Sequence, residues 1–369
     1  MKKIGVFDIH FSEEERKLFY SYCDQIFEEA YLTNHTFVKK FEKEFSTFSK
    51  IPYSLLVPSG TAALELALKT IDVKGKKVIL PTNTFIATAV AVINAGATPL
   101  ILDIENQYFS LSPEQLKNNI EEEVAAVITV HIGGHISPSI KEIQKICKEN
   151  NIPLIEDCAH AHGASLDGAS AGSFGVAGCF SHFLTKIMTT GEGGSLISNN
   201  QDFFQKAISL RRFGHKLDNP LIHELPGGGN YKVSEFQAAL GVVELKRIQS
   251  RIDKRRELAK AYKKNLDGTN WKVITDSQDS KGSYYKQIII PPEEISRTEI
   301  ESILTKAQIP LTGGVYNHPL HQQPVMRDYV QGQSFSVADD FCSRHICPPC
   351  YPELELKDID LICETLRKL

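Results

Sequence analysis

The segment KVILPTNTFIATAVAVINAGATPLILDI, residues 77–104, places a short apolar run, a helical stretch and a second short apolar run in succession. KVILP (77–81) and TPLILDI (98–104) are rich in branched apolar residues and short, as strands buried on both faces are. The stretch between them is long enough for a crossover helix, so the segment predicts a βαβ unit with parallel strands. The pattern continues with VAAVITV (124–130), the amphipathic SIKEIQKICKENN (139–151) and IPLIED (152–157). GVAGCFSHF (175–183) and GGSLISN (193–199) read as two further strands around a polar, glycine-containing turn. Upstream, residues 12–49 are charged with a helical period, and Phe37, Phe41 and Phe45 fall four apart on one face. Such a stripe is packing rather than a ligand surface. Downstream, residues 215–230 are irregular and lead into a long helix from about Ser234 to Lys264, first apolar and then heavily charged. Residues 265–369 form a smaller α/β unit, with a strand at KQIIIP (286–291) and a closing helix over 357–368.

Composition excludes several classes. The 369 residues carry 41 Lys and Arg against 45 Asp and Glu, a net charge of −4 without a long run of one sign, so nothing points to nucleic acid. No stretch approaches the roughly 18 apolar residues of a membrane span. The start, MKKIGVFDIHFSEEE, has no apolar signal core because Asp8 and His10 interrupt it. Eight cysteines are too few for a disulfide scaffold at this length. At about 100–200 residues per domain, the expectation is a cytoplasmic α/β enzyme of two or three domains.

Three features could carry chemistry. Pro58-Ser59-Gly60-Thr61 precedes the helix AALELALKTI, and a small hydroxyl-bearing turn there suits a phosphate as well as an ordinary Ser/Thr cap. Asp157 ends a strand, where open parallel sheets place their ligands, although a capping or salt-bridged carboxylate fits equally. Glu156 must point to the opposite face. Lys186 lies between apolar neighbours in SHFLTKIMTTGEGG (181–194), where desolvation would lower its pKa and make a Schiff-base nucleophile; a snorkelling surface lysine is the alternative. A phosphate turn, an acid and a lysine in chain order on one parallel sheet are the parts pyridoxal phosphate requires.

The ordered motifs PSGTAALELAL, PTNTFIATAVAVINAGATPLILDI, IEDCAHAHGA, SHFLTKIMTTGEGG and GGGNYKVSEFQAALGVVEL resemble the DegT/DnrJ/EryC1/StrS aminotransferases, from about Phe41 to the C-terminus. The resemblance implies pyridoxal-phosphate fold type I: a three-layer α/β/α large domain with a mostly parallel seven-stranded sheet, over residues 1–250, and a small C-terminal α/β domain, over 251–369. It implies Lys186 as the Schiff-base lysine and Asp157 as partner of the pyridine nitrogen. His160 would meet the ring hydroxyl, Gly60, Thr61 and Ser181 the phosphate, and Phe85 the ring face opposite Ala159. Asn230 would reach the phosphate of the partner subunit's cofactor in a homodimer. Thr33, Asn34 and His321 match segments near the substrate. The implied reaction moves an amino group from L-glutamate to a keto sugar, nucleotide-linked, in a ping-pong scheme through pyridoxamine phosphate. A sugar dehydratase and a catalytically silent cofactor-binding regulator are the alternatives on this scaffold. Dehydratase relatives carry histidine at the lysine position, which Lys186 argues against.

Three stretches depart from the family pattern: Ser181-His182-Phe183 for Ser-Phe-His, Asn230-Tyr231-Lys232-Val233 for Asn-Tyr-Arg-Met, and His131-Ile132-Gly133-Gly134-His135. Arg211, Arg212, His215 and Lys216 form a basic cluster that either is solvated or meets a nucleotide diphosphate. No metal is expected. Cys342, Cys347 and Cys350, with Cys363 beyond, have an iron–sulfur-like spacing but read as small buried hydrophobes. His131 and His135, separated by two glycines, read as buried and hydrogen-bonded.

Overall fold

The computed structural model describes residues 4–369. Two helices come first, α1 (Glu13–Glu29) and α2 (Thr36–Ser49), so the expected helical stretch is broken; Ala30 turns left-handed at φ 56° and ends α1. Then follow β1 (Tyr53–Val57), α3 (Gly60–Ile71), β2 (Lys77–Pro81), α4 (Ile86–Asn94), β3 (Thr98–Leu102), α5 (Pro113–Asn118), β4 (Val124–Val130), α6 (Ile140–Glu149) and β5 (Leu154–Asp157). Two short strands, β6 (Ser165–Leu166) and β7 (Ala169–Ser170), lead to β8 (Ala177–Ser181), β9 (Gly194–Ser198), α7 (Gln201–Arg211) and the long α8 (Glu235–Asn265).

Seven strands form one sheet in the order β1-β9-β8-β5-β4-β2-β3. β9 runs antiparallel to both of its neighbours, and the other pairs are parallel. Each parallel strand sends successive side chains to opposite faces. Leu55 and Val57, Val78 and Leu80, Ile128 and Val130 enter one core, which takes the apolar sides of α3, α4 and α7. Leu56, Ile79, Val127 and Phe180 enter the other, with Phe37, Phe41 and Phe45 of α2 and the start of α8. Continuous apolar runs follow from this double burial, because both faces are covered by helices.

The C-terminal part holds β10 (Lys272–Val273), β11 (Ser280–Lys281), β12 (Ile289–Ile290), α9 (Arg297–Lys306), α10 (Ser336–Arg344) and α11 (Leu356–Leu366). The strand expected over 286–291 is thus only two residues long, paired with β10. A third core gathers Leu258, Ala259 and Tyr262 of α8 with Ile300, Ile359 and Ile362. Position 250, the expected domain boundary, lies inside α8: Ile248 and Ile252 pack in the second core and Leu258 in the third. Val315, Phe341 and Cys342 pack instead in the first core, so the C-terminal chain also closes over the carboxyl ends of the parallel strands. Among the described residues no helix is long and apolar enough to cross a membrane.

Candidate active site

The turn between β1 and α3 shows why the helix begins where it does. Ser59 is extended, and its hydroxyl accepts from the Ala62 N–H at 3.0 Å, an N-cap. The N–H groups of Gly60 and Thr61 have no protein acceptor among the described residues. Position 60 also lies against β8: a Cβ there would sit 2.9 Å from the Ser181 Cβ, so only glycine allows the approach. The Ser181 hydroxyl accepts from the Phe183 N–H at 3.3 Å and keeps its own proton to donate. Two free N–H groups at a helix N-terminus, with the Thr61 and Ser181 hydroxyls beside them, make an anion cradle. The expected cap is present, and the same segment leaves N–H groups free for an anion.

Asp157 terminates β5 and is buried. Its Oδ2 accepts from the Thr88 hydroxyl at 2.8 Å and its Oδ1 from the Ala159 N–H at 3.1 Å. Because Thr88 donates here, the Thr84 hydroxyl 2.8 Å away donates to Thr88. Burial pushes the Asp157 carboxyl up, while these donors and the Lys186 and His131 charges pull it down. Glu156, one residue earlier, faces the opposite side as expected. It accepts from the N–H groups of Gly172, Phe174 and Gly175 at 2.8, 2.6 and 2.7 Å and lies 2.8 Å from His131 Nε2. This set holds a loop and leaves Glu156 no oxygen for chemistry. His135 is buried 3.6 Å from Asp276.

Lys186 sits in the loop between β8 and β9. The Ile187 and Met188 side chains are fully buried and anchor the loop, and the Thr189 N–H reaches Glu244 of α8 at 3.1 Å. Lys186 is partly exposed into a cavity, with its ammonium end surrounded by protein and 4.6 Å from the Tyr285 ring centre. Burial lowers its pKa to about 8, against the opposing pull of Asp157. A neutral amine is therefore accessible near physiological pH.

His160 stacks on Tyr285 with ring centres 4.3 Å apart, and its Nε2 lies 3.1 Å from the Tyr316 hydroxyl. Burial, then the Lys186 and Lys286 charges, drives its pKa well below the usual range, so the ring is neutral. Its Nδ1 is buried without a protein partner, and in the tautomer whose Nε2 accepts from Tyr316 the ring hydrogen sits on Nδ1. That tautomer offers a free donor inside the site.

These residues share one cavity of 580 Å³, lined by Gly60, Thr61, Phe85, Thr88, Asp157, Ala159, His160, Ser181 and Lys186, with Tyr285, Lys286 and Tyr316 from the C-terminal part. Phe85, the residue before α4, is 56% exposed with its ring 5.9 Å from that of Tyr316. Other expected residues lie outside it. Thr33 bridges to Ser234, and Asn34 is left-handed at φ 55°. Arg211 is buried, its guanidinium held by Glu42 and by the Leu56 carbonyl at 3.3 Å, so an internal carboxylate answers the charge expected for substrate. His321 is pinned between Thr82 at 2.7 Å and Asp339 at 2.9 Å, stacked on Phe335. Asn230 is exposed and takes the Lys232 ammonium on its side-chain carbonyl. His182 is buried among Phe41 and Phe45, 2.7 Å from the Ser195 hydroxyl, and Phe183 lies on the cavity rim. Cys342, Cys347, Cys350 and Cys363 are buried free thiols.

Sequence reading missed Thr88, Tyr285, Lys286 and Tyr316. Thr88 lies in the first turn of α4, two residues into the helix, and its sequence neighbours give no sign that it faces Asp157. The other three belong to no motif and arrive through long-range folding.

The chain belongs to the DegT/DnrJ/EryC1/StrS aminotransferase family, which residues 13–367 match. It is 29% identical over 368 residues to the GDP-perosamine synthase of Vibrio cholerae, covering 99% of this chain and 98% of that protein. It is 30% identical over 346 residues to the UDP-4-amino-4,6-dideoxy-N-acetyl-beta-L-altrosamine transaminase of Campylobacter jejuni, covering 91% and 90%. Among solved structures, DesI in the presence of its TDP-sugar product superposes with a TM-score of 0.87 at 26% identity, over 96% of this chain and 90% of that one. Enzymes of the family are pyridoxal-phosphate-dependent transaminases, and the seven-stranded fold here is theirs.

Proposed function

We propose that this enzyme uses pyridoxal phosphate in the cavity around Lys186 to move an amino group from L-glutamate to a keto sugar carried on a nucleotide. The carrying observation is the convergence of an anion cradle, a buried strand-end carboxylate and a lysine of lowered pKa on one cavity. The residues fit the cofactor: Gly60, Thr61 and Ser181 would take the phosphate, Asp157 the ring nitrogen and the free His160 Nδ1–H the ring oxygen. Phe85 and Ala159 line the cavity where the ring faces would be covered. When bound, the cofactor supplies an electron sink and carries the amino group as pyridoxamine phosphate between the two substrates.

The chain's own groups do the rest. Lys186, freed as a neutral amine, takes the proton from the α-carbon of the donor and returns it at the end of the half-reaction. The Asp157 carboxylate, oriented by Thr88 and Ala159, keeps the ring nitrogen protonated, so charge developing at the reacting carbon is stabilised. One cavity serves donor and acceptor in turn, which gives ping-pong kinetics. The related sugar transaminases support a nucleotide-linked acceptor.

The working unit is a homodimer with Asn230 reaching the partner's site. Its support is the exposure of Asn230 outside its own cavity and the exposed apolar residues Phe27, Phe213 and Leu221, the last at 89%. Lys186→Ala should lose the visible absorbance of the cofactor-loaded protein and release no 2-oxoglutarate from glutamate. An intact, active Lys186→Ala protein would contradict the proposal.

A further inference from the structure

A second amine stands in the cavity wall beside Lys186. The Tyr285 ring centre lies 4.6 Å from the Lys186 ammonium and 5.4 Å from that of Lys286, so two lysines address one ring. Lys286 donates to the Thr312 carbonyl, and among the described residues no carboxylate pairs with it. An ammonium carries three N–H donors, which leaves two uncommitted. Arg255 lines the same wall. Its Nη1 is spent on the carbonyls of Tyr284, Tyr285 and Cys350, and its Nε is buried without a partner.

The acids lining the cavity among the described residues are Asp157 and Glu192. Asp157 is oriented by Thr88 and Ala159 towards the place of the ring nitrogen and acts on Lys186 rather than on Lys286, and Glu192 is exposed in the glycine-rich turn. This wall therefore holds two cations and no anion. Partly buried charges in that state are costly, and a substrate anion removes the cost. Burial, with Lys186 and Arg255 nearby, pulls the Lys286 pKa down, while the Tyr285 and Cys347 side chains oppose it; the direction is that of an ammonium lacking its counter-ion.

We infer that Lys286, backed by Arg255, binds the carboxylate of the amino donor. The inference rests on the aminotransferase reading. A donor's α-carboxylate is bonded directly to the carbon whose proton Lys186 moves, so it must sit within a few bond lengths of that amine. Lys286 and Lys186 lie 5.4 and 4.6 Å from the Tyr285 ring centre, so the two ammoniums are no more than 10 Å apart and line one cavity, where an anion next to the reacting carbon enters. The diphosphate of a nucleotide sugar lies across the hexose ring from its reacting carbon and is the competing anion that the test separates from the carboxylate. The arrangement also lets one cavity accept two unlike substrates: when the uncharged sugar ring of the acceptor enters, Lys286 keeps the Thr312 carbonyl as partner and its spare donors face sugar hydroxyls.

The test uses the cofactor-loaded protein and glutarate, a dicarboxylate with no amine to react, titrated by calorimetry alongside uridine and guanosine diphosphates. Lys286→Met should weaken glutarate about tenfold or more, the scale of one charged hydrogen bond, and leave the nucleotides within about twofold. Lys286→Arg should restore glutarate binding, and Lys286→Gln, which still donates to Thr312, reads the same loss should the methionine variant fail to fold. The visible absorbance at Lys186 should persist in all three. Unchanged glutarate affinity overturns the inference, as does a loss confined to the nucleotides, which would make this a phosphate site. A wild-type protein that takes up no pyridoxal phosphate fails the aminotransferase reading itself, a separate result.

Discussion

At Lys186 two environments compete, since burial favours the neutral amine and the Asp157 carboxylate favours the ammonium. Burial wins, and the midpoint falls to about 8. The sign is definite: protonation silences the amine, so capture of an aldehyde by the cofactor-free protein should rise with pH through about 8 and then level off. Asp157→Asn removes the charge that favours the ammonium and should move that midpoint lower, which rates of aldehyde capture against pH will show. Gly60 offers a second test. An alanine Cβ would meet Ser181 at 2.9 Å and push the two halves of the anion cradle apart. Gly60→Ala should weaken pyridoxal phosphate about tenfold, the loss of roughly one charged hydrogen bond, in an absorbance titration. At this scale Asp157 could be read from the sequence as a strand-end residue, because the end of a parallel strand is where ligands gather, whereas His160 and Ser181 came with the family resemblance; all three line the cavity. Arg211 was not. Sequence shows a basic cluster, but not that Glu42, 169 positions earlier, folds against it.

Helix α8 ties the elements together. Its first residue, Glu235, is buried and takes the N–H groups of His35 at 2.6 Å, of Phe37, and of Val38 at 3.4 Å. A carboxylate from one helix thus caps the start of α2, and it sits where the dipole of α2 is positive. Glu235→Ala should strand these donors and lower unfolding stability by about 2–3 kcal/mol in a urea titration, with Glu235→Gln intermediate. The long α8 was readable from its change of character, apolar then charged, because its two halves enter different cores. The KQIIIP strand was overread for a physical reason. The Lys286 N–H pairs with the Gly133 carbonyl and Ile274 with Ile288, so this stretch is drawn over the end of β4 and leaves only Ile289 and Ile290 in a ladder. The apolar run in the sequence predicts buried residues there, but not which surface covers them.

Over the whole molecule, the parallel sheet and its two cores were legible because double burial imposes continuous apolar runs. The C-terminal half of the cavity was not, because Tyr316 meets His160 across 156 positions and nothing local marks that contact. The homodimer belongs to this scale and has its own test. Lys186→Ala and Asn230→Ala proteins should each be nearly inactive, yet mixing equal amounts after dissociation should restore about a quarter of the sites, since half of random dimers carry one intact site. A mixture no more active than its components would place Asn230 outside the partner's site. The central claim is amino transfer to a sugar, and product mass tests it most directly. Protein loaded with pyridoxal phosphate is given L-glutamate and a panel of nucleotide-linked 3-keto and 4-keto sugars. One sugar should exchange its carbonyl oxygen for an amine, with an equal amount of 2-oxoglutarate formed. A product that has lost water and gained no nitrogen would contradict it.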